Sequence, residues 1–145
     1  MKLTNNFTLK ELTYSQYAKD NKIDNRFDAD IVEHLLELCE TFLQPFRDYY
    51  GKGIRVTSGY RSDDLNKKLS GASNTSVHPL GWAVDVLPTD GDLKSFVETL
   101  NAFVKEKNPA FDQILFETSG KTKWVHIGLY NRKGQQRRQI KDLVV

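Results

Sequence analysis

Ser76-Val77-His78-Pro79-Leu80-Gly81-Trp82-Ala83-Val84-Asp85 lies in the middle of a 145-residue chain. Pro79 and Gly81 shape a turn, and the small and β-branched residues from Gly81 to Leu87 predict a buried strand. His78 and Asp85 are separated by six residues, room for a loop-to-strand passage that aims an imidazole and a carboxylate at one point. Zinc accepts nitrogen and carboxylate oxygen in tetrahedral geometry, and a catalytic site uses three protein ligands and keeps the fourth position open. His126, on a later expected strand, can supply the third. Spacing alone does not select a metal site, because histidines and aspartates meet this pattern by chance in many proteins.

Upstream, Thr8-Leu9-Lys10-Glu11 has the spacing of a capping box and predicts a short first helix. From Asp28 to about Tyr50, the residues Ile31, Leu35, Leu38, Phe42, Phe46 and Tyr49 recur at helical spacing and predict the main core helix. Pro45 falls inside that pattern and predicts a kink or break, and Gly51 and Gly53 end it. Gly53 to Ser58 alternates apolar and polar residues and reads as a strand. A short helix from Asp63 to Leu69 and a polar loop through Ser76 then lead into the opening stretch.

Downstream, Leu93 to Lys107 shows helical spacing through Phe96, Val97, Leu100 and Val104. Strands are expected at Phe111 to Glu117 and Lys123 to Tyr130, joined by a hairpin turn at Thr118-Ser119-Gly120-Lys121. The expectation is one α+β domain over residues 1–145, with helices packed on one side of a mainly antiparallel sheet.

Composition narrows the function classes. Charged residues make up 28% and hydrophobic residues 39%, the balance of a water-soluble globular chain. No apolar run approaches the roughly 20 residues of a membrane span, and Met-Lys-Leu-Thr-Asn-Asn-Phe-Thr lacks the apolar core of a secretory signal. The chain as given is therefore expected to be made in the cytoplasm. Cys39 stands alone and within an apolar helical pattern, which predicts a buried, unreactive thiol. A net charge of +2 is too small to imply a nucleic-acid partner. Arg132, Lys133, Arg137, Arg138 and Lys141 cluster late; they are open to contact with an anionic wall polymer or read as a solvated terminal segment. No aromatic residue follows Tyr130 to stack on bases.

Three segments in order, Ser58-Gly59-Tyr60-Arg61-Ser62, the opening stretch, and Trp124-Val125-His126-Ile127, resemble the zinc D-alanyl-D-alanine carboxypeptidase family. That family shares its fold with the Hedgehog signalling domain and the vancomycin-resistance D,D-dipeptidases. Its pattern is S-G-[YF]-R-S, then S-x-H-x-x-G-x-A-x-D, then W-x-H or H-x-H, and the resemblance runs from about Phe7 to Tyr130. It implies a Hedgehog/DD-peptidase-like fold, one zinc ion held by His78, Asp85 and His126, and a peptidase acting on peptidoglycan as carboxypeptidase or endopeptidase. It places Arg61 near the substrate, where a guanidinium polarises the scissile carbonyl or holds the intermediate's charge. Ser76 and Asn66 match supports of the ligand loop or the substrate backbone, with a purely structural turn role equally open. His34 reads as a side chain of the long helix and not as a ligand.

Metal-assisted peptide hydrolysis also needs a carboxylate that takes a proton from water and returns it to the leaving amine. Many relatives carry it three residues before the last histidine, a position held here by Lys123. Glu117 is the best substitute, because the hairpin through Gly120 returns the chain from it to His126; a solvated carboxylate paired with Lys121 or Lys123 is its plainer reading. Asp112 is the weaker candidate. The leading expectation is a monomeric peptidoglycan peptidase, with a phage or prophage lysis enzyme or a wall-recycling enzyme as the setting. The alternative, suggested by Lys123, is a catalytically weak zinc-containing module that binds peptidoglycan.

Overall fold

A computed structural model describes residues 1–69 and 75–144, with backbone alone for 143 and 144. Residues 70–74, the body of the polar loop expected before Ser76, lie outside it. The chain opens on two short antiparallel strands, β1 (Lys2–Thr4) and β2 (Phe7–Thr8), which run into helix α1 (Leu9–Thr13). The capping box forms as expected: Glu11 N–H donates to Thr8 Oγ1, and the Glu11 carboxylate accepts from Thr8 N–H. Helix α2 (Gln16–Asp20), capped by Ser15, was not expected from the sequence.

The long core helix exists but is interrupted. α3 (Ala29–Leu38), capped by Asp28, passes into a π-helical turn at Cys39–Leu43 and on into α4 (Gln44–Tyr50). Pro45 lacks the amide hydrogen that would continue the ladder and crowds the preceding turn. The chain widens just before it, so that Gln44 N–H donates to Cys39 O, five residues back. Ile31, Leu35, Leu38, Phe42 and Phe46 are buried as predicted; Tyr50 joins them, while Tyr49 is only partly buried and donates to Glu106. Gly51, at φ +75°, ends the helix.

Five strands form the main sheet in the order β3 (Ile54–Ser58), β4 (Ala83–Pro88), β6 (Thr122–Gly128), β5 (Gln113–Ser119) and β7 (Gln139–Val144). All neighbours are antiparallel except β5 and β7. Val84, Val86, Ile114, Val125 and Ile127 point from one face into the core, against α3, α4 and α6 (Leu93–Lys107), where Phe42, Phe46, Phe96 and Phe103 pack edge-on or tilted. The opposite face of the same strands carries polar residues, and that face holds the site. α5 (Asp63–Lys68) lies beyond β3, capped by Ser62.

Two expectations are corrected. Residues 139–144, read as part of a solvated tail, pair with β5 as a strand, because Arg137 is tied to Asp112 and delivers the chain onto the open edge of β5. The strand expected from Gly81 starts at Ala83, since His78–Leu80 form a single 3₁₀ turn closed by Gly81 at φ +73°. The hairpin between β5 and β6 has Gly120 and Lys121 as its two-residue loop, with Gly120 at φ +60° as a primed turn requires.

Candidate metal centre

Register builds the site. Ser58 pairs with Asp85, Asp85 with His126, and His126 with Leu115, one row across four strands on the face turned away from the helices. Directly opposed residues of an antiparallel pair hold their Cβ atoms about 5 Å apart, so Asp85 and His126 meet by strand pairing alone. His78 comes from the 3₁₀ turn and completes the group. One ligand atom from each of the three lies within 4.8 Å of the others.

Asp85 Oδ1 is 3.4 Å from His78 Nε2 and 2.9 Å from His126 Nδ1. A tetrahedral zinc with ligands at about 2.0–2.1 Å separates its donors by about 3.3 Å, so the gap to His78 matches an edge of a zinc tetrahedron, while the gap to His126 is that of a hydrogen bond and would open when a metal takes its place. His78 Nδ1 donates to Gly59 O at 2.6 Å, which fixes the tautomer and leaves the Nε2 lone pair toward the metal. Burial draws the His78 pKa down from its usual value, favouring the neutral ligand form. For Asp85, burial pulls upward, but the His78 and His126 imidazoles beside it hold the carboxyl well below the usual carboxylate range.

Arg61 grips the other oxygen. Its guanidinium donates from Nη2 to Asp85 Oδ2 at 3.0 Å, from Nε to Ser58 Oγ at 2.9 Å and from Nη1 to Asn66 Oδ1 at 3.2 Å. The arginine thus orients a ligand, one oxygen of Asp85 bound and one left for metal. Asn66, buried, orients Arg61. Ser76 supports the turn, its Oγ accepting from His78 N–H at 3.3 Å. In the sequence Ser58 is only the first residue of the S-G-Y-R-S motif; its place directly across from Asp85 becomes visible with the strand register.

Glu117 and Trp124 are cross-strand partners one step further along the same face. Glu117 lines the open cleft of about 1080 Å³ that also contains Arg61, His78, Asp85 and His126. Burial raises its carboxyl above the usual value against the pull of His126. Trp124 Nε1 is buried without a hydrogen bond of regular geometry, yet its side chain shares this corner and acts on Glu117 to lower it. Lys123 sits on the other face of β6, exposed, and does not line the cleft. Asp112 is excluded as a base: its Oδ1 accepts from Arg137 N–H and Nε, and its Oδ2 from Arg137 Nη2, so both oxygens are taken. His34 is structural as expected, with Nδ1 donating to Leu80 O at 2.6 Å and its ring stacked on Trp82. Cys39 is fully buried and its thiol is pushed up to about 12 by that burial.

The family model for Peptidase M15 matches residues 5–128. The chain belongs to this family. No curated protein matches it. Peptidase M15 enzymes are zinc-dependent, and His78, Asp85 and His126 are the donors this member offers, two nitrogens and one carboxylate oxygen within 4.8 Å of one another. The M15 match ends at Gly128, the last residue of β6, and the loop after it and β7 lie outside the matched residues. As an M15 member the chain is a zinc metallopeptidase with a DD-peptidase-like α+β fold.

Proposed function

We propose that this metallopeptidase hydrolyses peptide bonds of peptidoglycan and that Glu117 is its general base and acid. The observation that carries the reading is Glu117 in the same cleft as the three donors, on the same sheet face, with its carboxyl raised by burial. A zinc ion on His78, Asp85 and His126 would supply Lewis acidity, which makes water nucleophilic near neutral pH and polarises a carbonyl. Glu117 takes the proton from the attacking water and gives it to the departing amine. Arg61 holds Asp85 in its ligand orientation, and any charge it lends the developing oxyanion comes from the edge it turns to the cleft. Ser76 and Asn66 are positioning residues for His78 and Arg61.

Lys123 in place of the usual acid favours the alternative, a catalytically weak zinc-containing module that binds peptidoglycan; Glu117 in the cleft supports hydrolysis instead. The reading extends to a monomer that acts on the wall or its fragments in phage or prophage lysis; sedimentation and cell fractionation test these points. The direct test is release of new amino groups from purified peptidoglycan by zinc-loaded protein, beside chelated protein and Glu117→Ala. Release that needs both zinc and Glu117 supports the proposal. A protein that keeps one zinc and releases nothing overturns it in favour of a binding module.

A further inference from the structure

The segment after β6 returns along the cleft as a built loop. Asn131 Oδ1 accepts from Lys133 N–H at 3.0 Å and from Gln135 N–H at 2.8 Å, and Asn131 O accepts from Gly134 N–H at 3.0 Å. Gly134 takes φ +74°, as the tight turn requires. Arg137 fastens the far end to Asp112, and Arg132 Nε donates to Ser76 O at 3.1 Å, two residues before the ligand His78. Held at both ends and in the middle, the loop sets Arg132 and Lys133 on the cleft wall.

Charge in the cleft is unevenly matched. Arg61 is committed to Asp85 and Arg137 to Asp112. Arg132 and Lys133 make no ion pair among the described residues. β5 gives the cleft its axis, because Gln113, Leu115 and Glu117 line it in alternation and Leu115 stands opposite His126. Glu117 is thus about 7 Å to one side of the metal row and Gln113 about 7 Å to the other. The chain leaves β6 at Gly128, opposite Gln113, so the loop that carries Arg132 and Lys133 starts on the side of the metal row away from Glu117.

We propose that Arg132 and Lys133 bind a free carboxylate of the substrate peptide on the side of the metal away from Glu117, making this an enzyme for acid-bearing peptides. The inference rests on the peptidase reading and adds the substrate class to it. A guanidinium and an ammonium on a fixed loop give charge-assisted hydrogen bonds to a carboxylate without first ordering the wall that carries them. The carboxylate comes either from the peptide's own C terminus or from an acidic residue within it.

Three synthetic peptides separate these sources: L-Ala-γ-D-Glu-L-Lys-D-Ala-D-Ala, its C-terminal amide, and its D-isoglutamine analogue. The zinc-loaded wild type is expected to cut the free acid with kcat/KM about tenfold above one of the amides, and the amide that suffers names the source. In Lys133→Gln and in Arg132→Gln/Lys133→Gln that ratio falls toward one, with zinc content measured on each to show that the His78 turn is intact. Equal cleavage of all three by the wild type, or an unchanged ratio in the variants, overturns the proposal. If the zinc-loaded wild type cuts none of them, the peptidase reading fails by itself. Calorimetric titration of the three peptides then decides the carboxylate site, tighter binding of the free acid supporting it and equal binding overturning it.

Discussion

Asp85 and Asp112 are both buried carboxylates, 5% and 2% exposed, and each is held by an arginine. Asp85 gives Arg61 one oxygen and turns the other between two imidazoles. Asp112 gives Arg137 both oxygens. Neither burial nor an arginine partner marks a functional carboxylate in this molecule; the disposition of the second oxygen does. The same device serves once to orient a metal ligand and once to fasten a loop.

The largest effect is expected at Asp85. Asp85→Ala removes one of three donors and is expected to cost more than the roughly 100-fold in zinc affinity that an outer partner is worth. Metal analysis after dialysis reads the loss, and an equal loss in Asp112→Ala would erase the distinction. Glu117→Gln should lower kcat by about 10²–10⁴ while zinc stays bound. The base must be ionised, and burial raises its pKa. The acid side of the wild-type kcat/KM profile should therefore report protonation of Glu117, and Glu117→Gln should lack that limb.

Arg61→Lys keeps the charge but loses the fork that holds Asp85, Ser58 and Asn66 together. It should weaken zinc about 10–100-fold, measured by competition with a chromophoric chelator; unchanged affinity would reduce Arg61 to a bystander. Asp112→Asn should leave zinc affinity unaltered and destabilise the fold by about 1–2 kcal/mol, a modest figure because Arg137 is partly exposed. Arg137 holds the Asp112 carboxyl below its usual value although burial pulls the other way. Its contribution is thus full above the unfolded carboxylate value and lost as pH falls through the lowered folded one. The urea midpoints of wild type and Asp112→Asn should begin to approach each other as pH falls below about 4 and meet only below the lowered folded value.

Much of this was legible in the sequence. Amphipathic spacing located α6 at its full extent, the capping box fixed the start of α1, and the Gly120 turn marked the hairpin. His78, Asp85 and His126 converge as the three motifs imply. What stayed hidden depends on long-range pairing. β7 carries Arg138, Lys141 and Asp142 around little apolar pattern, so nothing local distinguished a strand on β5 from a solvated tail. The π-helical turn was foreseen only as a disturbance near Pro45, since a proline announces a missing hydrogen bond without saying how the chain absorbs it. The face of Lys123 was equally invisible until the register of β6 put it across from Thr118.

Gly59 stands at a crossing of two hydrogen bonds. Its carbonyl accepts from His78 Nδ1, and the next residue, Tyr60, donates its N–H to Leu12 O at the end of α1. A Cβ on Gly59 would come within 2.2 Å of that same Leu12 oxygen, so the two segments touch backbone to backbone. Zinc on His78 is therefore expected to be coupled to α1, and such coupling is reciprocal. Whatever loosens the first thirteen residues should weaken the hold on zinc, and zinc should in turn slow hydrogen exchange at the amides of α1. The ion then serves as a reporter on a part of the chain that contributes none of its ligands.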